Sequence, residues 1–471
     1  MHKTLPAIAI AILLAACTTV GPDYKRSPME LPSQWSATTG PAKTPEKWWT
    51  VFGDTALDRL VEEGFAANRD LVAAAARIDA ARAMLTVTDA DRYPAVQGGV
   101  IRSRTRSTQR GAVPLFAGVP VESNAMRATV SASYETDFWG KYARASEAAR
   151  AELVASQAGG DAVRLGLASD IVKAYFEVVS LNAQDRTARR TLEARDELVA
   201  LQTKRFDAGV SSEFELRQVE AERDNARVVL ISIRRQRESE DARLTVLLGR
   251  SPRAVWEGKA IPVGAESAGL AVIAVPEGLP SDLLERRPDL REAEQRLIAA
   301  NARIGAARAA YFPSIALTGY LGSESAALSN LFSGPALIWQ LVAAVTQPIW
   351  NAGRVEAQVE AATARQKEAL ANYEKAVQSA FADVRIALAT HIAAVDTAQT
   401  QARRSASLSQ ALKLARLRYD NGVSSLIDVL DAERNLLAAE LSRIDALAAQ
   451  RSAVADLIKA MGGGWSGAVK G

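Results

Sequence analysis

The sequence contains very few histidines and cysteines. Its 471 residues include two histidines and one cysteine. His2 and Cys17 both lie near the N-terminus, which leaves His391, and the helical pattern around His391 predicts a surface position. A His/Cys metal site or a Cys–His catalytic pair needs several such residues close together. We therefore expect no metal, no cofactor other than a covalent lipid, and no enzymatic activity.

Long apolar stretches are also missing from most of the sequence. Beyond the N-terminal segment there is no run of about 18 apolar residues, so we expect no transmembrane helix in the mature chain. The chain has 57 basic and 54 acidic residues, and its formal net charge of +3 is small. Nucleic-acid-binding surfaces are usually much more basic, so no nucleic-acid partner is expected.

The N-terminus has the pattern of an export signal. It reads "MHKTLPAIAIAILLAAC", with a basic residue at Lys3, a short apolar run and then small residues. Leu14-Ala15-Ala16-Cys17 resembles a bacterial lipobox, in which the cysteine becomes the lipidated first residue. An ordinary signal peptide with a chance cysteine is the alternative. Thr18 follows instead of the aspartate that resembles an inner-membrane retention signal, which favours the outer membrane.

The chain also contains a long internal repeat. "RFDAGVSSEFELRQVEAERDNA" begins at residue 205 and "RYDNGVSSLIDVLDAERNLLAA" at residue 418. Each copy follows a proline-free helical pattern, about 140–206 or 353–419, which would be about 100 Å long at 1.5 Å per residue. Gly209 and Gly422 suit left-handed helix stops. Both copies then restart with a capping box, Ser212 with Glu215 and Ser425 with Asp428.

The repeat predicts two similar halves, each a helix, two strands, a very long helix, a tip and a returning helix. The predicted segments are a signal peptide (1–16), a lipidated extended segment (17–56), a first repeat (57–249), an equatorial linker (250–287), a second repeat (288–461) and a C-terminal tail (462–471). The predicted strands are 94–110, 123–138, 312–323 and 335–349; the tips are 207–212 and 420–425; the returning helices are 213–249 and 426–461.

The predicted strands alternate between apolar and polar residues. Even positions from Met126 to Tyr134 are mostly apolar and odd positions are polar, which indicates a strand with two different faces. Arg102, Arg104 and Arg106 share one face of the preceding strand. A soluble β-sandwich could alternate in the same way, but the strand length suits a membrane-spanning barrel. Four strands cannot close a barrel, so several chains must combine their strands, in any multiple of four from eight upward.

Six stretches of the sequence resemble the outer-membrane factor (TolC-like) family, and within it the NodT-type efflux outer-membrane lipoproteins. They are "CTTVGPDYKRSP", "WWTVFGDTALDRLVEEGFAANRDL", "SYETDFWGK", "VPEGLPSDLLERRPDLREAEQRL", "YFPSIALTG" and "LARLRYDNGVSSLIDVLDAERN". The resemblance implies a mainly α fold with a membrane β-barrel: a homotrimer with a twelve-stranded barrel in the Gram-negative outer membrane and an α-helical barrel extending into the periplasm. It also implies three partners besides outer-membrane lipid: a periplasmic adaptor (membrane fusion) protein, an inner-membrane pump of RND (resistance–nodulation–division) type and the two other copies of the chain.

The resemblance also implies roles for the two tips. The adaptor would contact the tips, so the docking candidates are Gly209, Val210, Ser211, Gly422, Val423 and Ser424. The family pattern "DVLDA" lies at 428–432, and its acids, Asp428 and Asp431, would ring the closed aperture. Tyr419 matches an aperture-constraining tyrosine, although Ser424 stands where the family has a basic partner. Alternatively, Asp428 and Asp431 only stabilise a helix N-terminus.

The expected function is passive conduction of substrates from the pump to the cell exterior through a gated tube. Two alternatives remain open, an exit duct for type I protein secretion and a non-conducting envelope scaffold lipoprotein. The scaffold would explain the long helices and Cys17 but not the alternating strands. An envelope hydrolase is disfavoured because the sequence offers no nucleophile–histidine arrangement.

Overall fold

A computed structural model describes residues 19–26, 28–32, 46–111, 116, 118–258, 261 and 283–464. The predicted signal peptide, Cys17, and most of both the linker and the C-terminal tail lie outside these residues. The helices and strands of the first half are α1 (Thr55–Ala67), α2 (Arg69–Ala90), β1 (Ala95–Arg106), β2 (Glu122–Thr136), α3 (Lys141–Asp207), α4 (Glu213–Leu247) and α5 (Pro252–Glu257). Those of the second half are α6 (Leu283–Arg286), α7 (Pro288–Arg308), β3 (Ser314–Ser325), β4 (Leu337–Thr346), α8 (Arg354–Asp420) and α9 (Leu426–Ala460).

The two halves have the same order of elements, and the two long helices α3 and α8 each contain 67 residues. Small differences from the expected bounds occur where pairing ends. β1 stops at Arg106, where the expected strand ran to residue 110, and β4 covers ten residues inside the expected 335–349. The expected linker contains two short helices, α5 and α6. Among the described helices, none is long and apolar enough to cross a membrane.

The four strands form one antiparallel sheet in the order β1-β2-β3-β4. Register pairs include Val100 with Ala128 and Ala128 with Ser323, so the β2–β3 pairing joins the two halves. At one end of the sheet, here called the helix end, all four strands connect to helices. At the other, the hairpin end, residues 107–121 join β1 to β2 and residues 326–336 join β3 to β4.

The register brings most of the large apolar residues of the four strands to one side of the sheet, although Ile101, Ile338 and Val342 lie on the other side. This side, the apolar face, carries Val96, Val100, Val130, Tyr134, Leu317, Leu321, Trp339, Leu341 and Val345. The opposite polar face carries Gln97, Ser103, Arg127, Thr129, Ser131, Ser133, Thr318, Glu324 and Gln340. Most of the apolar face is exposed within one chain; Leu341 is 77% exposed.

The chain divides into two compact units. The first, Met1–Pro28 with Ile78–Ser156 and Ala293–Tyr373, contains the sheet. Its helices pack through small residues, among them Ala148, Ala151, Ala299 and Ala302. Residues 19–26 of this unit, here called the N-terminal strap, have no regular secondary structure.

The second unit, Met29–Arg77 with Gln157–Glu292 and Glu374–Gly471, contains the largest apolar core. Asp54 caps α1 by accepting a hydrogen bond from the backbone N–H of Ala56 at 2.9 Å. Its other oxygen accepts a bond from the buried Tyr175 hydroxyl at 2.5 Å, so the start of α1 is fixed to α3. The apolar core of this unit includes Trp48, Phe52, Leu57, Ile171, Phe176, Leu248 and Ile458.

Candidate functional site at the hairpin tips

The first tip turns through a glycine and restarts on a serine. Gly209 has a φ of +74°, in the left-handed region that glycine adopts without steric cost. The backbone N–H of Val210 donates to the carbonyl of Arg205 at 2.9 Å, which closes the end of α3. Ser212 caps α4: its Oγ accepts from the backbone N–H of Glu215 at 3.2 Å. This left-handed stop and this cap are both as the sequence predicted.

Glu215 completes the capping box from the other side. Its Oε2 accepts from the Ser211 hydroxyl at 2.8 Å and from the backbone N–H of Ser212 at 3.1 Å. The hydrogen bond from Ser211 is the main cause that lowers the pKa of Glu215, followed by the backbone bond from Ser212. Ser211, predicted to dock a partner, therefore also has a local structural role.

The second tip has the same left-handed glycine turn, with a related cap in which the serine hydroxyl donates to the carboxylate. Gly422 has a φ of +71°, and the backbone N–H of Val423 donates to the carbonyl of Arg418 at 2.8 Å. The backbone N–H and the hydroxyl of Ser425 each donate to Oδ2 of Asp428 at 3.0 Å. Asp428 therefore takes part in the cap of α9.

Asp431 lies one turn further along α9 and is half-exposed. One of its oxygens accepts a charge-assisted hydrogen bond from Arg434, and the other accepts from Asn435 Nδ2 at 3.0 Å. Arg434 also approaches Glu222 of α4, at 3.5 Å. Asp431 thus carries a charge that no cap uses but that a neighbouring guanidinium partly balances. Its counterpart in the first hairpin is the uncharged Gln218.

Tyr419 is half-buried in a small apolar cluster that joins the two hairpins. The cluster contains Leu216, Val219, Leu426 and Leu430, with Leu198 and Val199 at its edge. The Tyr419 hydroxyl accepts a hydrogen bond from Nη1 of Arg205 at 3.2 Å. A basic partner is therefore present, but it comes from the first hairpin and not from the position that Ser424 occupies.

The tips expose more apolar surface than the six predicted docking residues provide. Val210 is 75% exposed and Val423 is 65% exposed, as expected for residues at the apex of a turn. Phe214 and Ile427, at equivalent places in the first turns of α4 and α9, are 63% and 48% exposed. Sequence reasoning missed both, although a large apolar residue two places after each capping serine was a visible signal.

A buried ion pair supports the first hairpin behind its tip. Arg195 of α3 is 3% exposed, and its Nη1 lies 2.8 Å from Oε2 of Glu222 on α4. The same nitrogen donates to the backbone carbonyl of Glu222. Removing one partner of such a pair would leave an uncompensated buried charge, so a substitution of Arg195 or Glu222 alone should be strongly destabilising.

The predicted surface position of His391 is wrong. The residue is in α8, as expected, but it is only 4% exposed. It lies three residues after Leu388 and seven after Val384, on the helix face that those two residues bury. Burial lowers the pKa of its imidazole, which favours the neutral form. Among the described residues, no hydrogen-bond partner is found for its Nδ1.

Four strands in one sheet with an apolar and a polar face, together with two helical hairpins whose long helices each contain 67 residues, define the class of outer-membrane efflux channels. A family model for the outer membrane efflux proteins matches residues 60–250 and 279–463. The chain belongs to this family, which is a family of transport proteins. The predictions of family, fold class, efflux function and outer-membrane localisation are confirmed.

Three relatives illustrate the extent of the match. A probable outer membrane lipoprotein, SilC of Salmonella typhimurium, is 35% identical over 98% of this chain and 98% of its own length. The cation efflux system protein CusC of Escherichia coli O6:H1 is 34% identical over 98% of this chain and 99% of its own. The crystal structure of the Campylobacter jejuni CmeC outer membrane channel superposes with a TM-score of 0.90 at 25% identity, covering 95% of each chain.

Proposed function

We propose that this chain is the outer-membrane channel of a tripartite efflux system and conducts substrates passively from an inner-membrane pump, of RND type, to the cell exterior. The observation that carries the proposal is the division of the sheet into an apolar and a polar face across all four strands. An apolar outer wall with a polar lumen is what a water-filled pore in a bilayer requires.

The edges of the sheet support assembly from several chains. β1 and β4 each have a partner on one side only, so each leaves a row of backbone N–H and C=O groups unpaired. Unpaired backbone groups are not stable in the hydrocarbon region. Pairing β1 of one chain with β4 of the next satisfies both rows, and three chains give the twelve-stranded barrel that the family resemblance implies.

Lipidation of Cys17 would add a second attachment to the same membrane. The N-terminal strap begins only two residues later, and it is fixed to the helix end of the sheet. The backbone N–H of Val20 donates to the carbonyl of Trp139 at 3.1 Å, between β2 and α3. This contact supports a lipid anchor beside the barrel, with the hairpin end of the sheet facing outward and the helices in the periplasm.

The tips are the proposed docking surface for a periplasmic adaptor. Gly209, Gly422 and Ser211 set the geometry of the turns, and the exposed Val210 and Val423 provide apolar contacts. Among the described residues, the hydroxyl of Ser424 has no hydrogen-bond partner. Phe214 and Ile427 extend this surface. The proposed gate lies beside it: Tyr419 joins the two hairpins, and Asp428 and Asp431 supply carboxylates at the aperture.

Conductance in planar bilayers tests the proposed function. The purified wild-type chain should form discrete channels, and a non-conducting scaffold would form none. Two neighbouring substitutions make the test specific to the faces of the sheet. Val130→Lys places a charge on the apolar face, at a cost of about 2–4 kcal/mol near the bilayer midplane, and should abolish insertion. Ser131→Lys, on the polar face, should insert and conduct.

A further inference from the structure

Three arginines extend the apolar face of β1 beyond its last apolar residue. Arg102, Arg104 and Arg106, here called the arginine row, follow Val96 and Val100 at every second position. Cross-strand pairing places Arg102 opposite Met126, Arg104 opposite Asn124 and Arg106 opposite Glu122. The arginine row therefore points to the same side as the lipid-facing residues, at the hairpin end of the sheet.

The arginine row has more positive charge than its surroundings neutralise. Glu122 is the one carboxylate on this face of the four described strands. It lies 2.6 Å from Nη2 of Arg104 and 3.0 Å from Nη1 of Arg106. Within the described part of the chain, no ion pair involves Arg102. Glu324, the other acid near this end, lies on the polar face and pairs with Arg127 at 2.5 Å.

The connections at the hairpin end contribute no compensating acid. Residues 107–121 contain one charged side chain, Arg110, and residues 326–336 contain none. β4, which would pair with β1 of a neighbouring chain, has no charged residue. Arg104 and Arg106 remain 73% and 76% exposed at their side chains despite their contact with Glu122.

The position of the arginine row along the strand corresponds to the headgroup region. On β2 the apolar face runs from Tyr134 to Met126, which is about 27 Å at 3.4 Å per residue. With a strand tilt of about 40° this becomes roughly 20 Å along the membrane normal, comparable to the apolar band of about 25 Å in such barrels. Arg102 lies about 7 Å beyond Val100 along β1. The long arginine side chains can extend further toward the polar headgroups.

We propose that the arginine row binds the phosphate groups of the outer leaflet's glycolipid, which is bisphosphorylated lipid A in its membrane-embedded part. This inference rests on the proposed function, because it requires the hairpin end to face outward. Guanidinium groups bind phosphate through two parallel N–H···O bonds. The two phosphates of one lipid lie at opposite ends of its disaccharide, and the arginine row is about 14 Å long from Arg102 to Arg106 at 3.4 Å per residue, so one lipid can contact both ends of the row. Each chain contributes one row, so a trimer has three equivalent sites.

Titration of the full-length protein in detergent with lipid A tests this proposal. Native mass spectrometry counts bound lipids on the intact oligomer, and a fluorescent lipid A reports affinity. Arg102→Gln with Arg104→Gln and Arg106→Gln should weaken binding roughly a hundredfold, from about fivefold per arginine. Arg102→Gln alone should weaken binding about fivefold. This single variant preserves both contacts of Glu122, so it remains informative if the triple variant fails to fold.

Two control variants separate this site from general electrostatic attraction. Arg385→Gln with Arg403→Gln and Arg404→Gln removes the same charge from exposed positions of α8 and should leave affinity unchanged. Arg127→Gln removes a cation from the polar face at the same end of the sheet and should also bind normally. Equal loss in either control, or no loss in both arginine-row variants, would overturn the proposal.

Ligand controls identify which lipid chemistry is recognised. Dephosphorylated lipid A should bind about as weakly to the wild type as lipid A does to the triple variant, and inorganic phosphate should not displace lipid A at equal concentration. Tight binding of the dephosphorylated lipid, or displacement by free phosphate alone, contradicts a phosphorylated-lipid site. Channel conductance is measured separately and tests the proposed function. A chain that binds lipid A but does not conduct would contradict the proposed channel function and leave the lipid site standing.

Discussion

Nη1 of Arg205 donates a hydrogen bond to the hydroxyl of Tyr419 at 3.2 Å, so the last turns of the two long helices are directly connected. The two residues are at neighbouring positions of the repeat: Arg205 corresponds to Arg418, and Tyr419 corresponds to Phe206. Because the second hairpin has a tyrosine where the first has Phe206, its hydroxyl can accept a hydrogen bond from the first hairpin.

Tyr419→Phe and Arg205→Gln should each increase the open probability of single channels, because both remove this connection. The contact is exposed, so its loss should cost only about 1 kcal/mol of stability and leave the thermal midpoint nearly unchanged. Arg418→Gln, at the repeat position of Arg205, should gate like the wild type. Identical gating in all three variants would show that the contact does not constrain the aperture.

Asp431→Asn should reduce the preference of the channel for cations, because acidic rings at a pore mouth favour cations. Arg434→Gln should have the opposite effect, since it removes the guanidinium that pairs with Asp431. Reversal potentials under a salt gradient measure both changes. Gln218→Ala, in the first hairpin, should have little effect. Unchanged reversal potentials in the Asp431 and Arg434 variants would exclude Asp431 from the conduction path.

Cys17→Ala should abolish incorporation of labelled fatty acid. The expected product still folds, because the N-terminal strap makes its own contacts: Arg26 Nε lies 2.7 Å from Glu294 Oε1, and Tyr24 donates to the same oxygen at 3.0 Å. Labelling after growth with radioactive palmitate and immunoprecipitation measures the effect. Equal labelling of the wild type and the variant would exclude Cys17 as the lipidated residue.

The mass of the protein in detergent should be that of a trimer. The unpaired edges of β1 and β4, which one chain cannot satisfy in a bilayer, require an oligomer, and the family resemblance implies three chains. Light scattering or native mass spectrometry measures the mass with detergent subtracted. A folded, membrane-inserted monomer would contradict the edge-pairing argument.

Gly305→Ala should displace the N-terminal strap from α7. A Cβ at residue 305 would lie 2.5 Å from the carbonyl oxygen of Val20 and 2.9 Å from Cγ of Arg144. The displaced strap should be cleaved faster by trypsin at Lys25 and Arg26, as measured by N-terminal sequencing of a timed digest. Gly166→Ala, where a Cβ meets nothing within 4 Å, should not accelerate cleavage and should stabilise α3 by about 1 kcal/mol. Similar digestion of both variants would contradict the proposed packing.

The sequence by itself determined the features that depend on local rules. The strand alternation from Met126 to Tyr134 follows from the two-residue period of an extended chain. The ends of the long helices follow from glycine at Gly209 and Gly422 and from the capping serines, whose hydrogen bonds reach only three residues along the chain. The repeat then assigned the same elements to both halves.

Only the tertiary structure decided the features that depend on contacts distant in sequence. The burial of His391 results from packing that its own helical pattern does not reveal, and the Arg205–Tyr419 bond joins residues of different hairpins. The sequence also indicated that Arg102, Arg104 and Arg106 share one face, but it left open which face. The register of β1 against β2, which pairs Arg102 with Met126, assigns them to the apolar face, because cross-strand neighbours always point to the same side of a sheet.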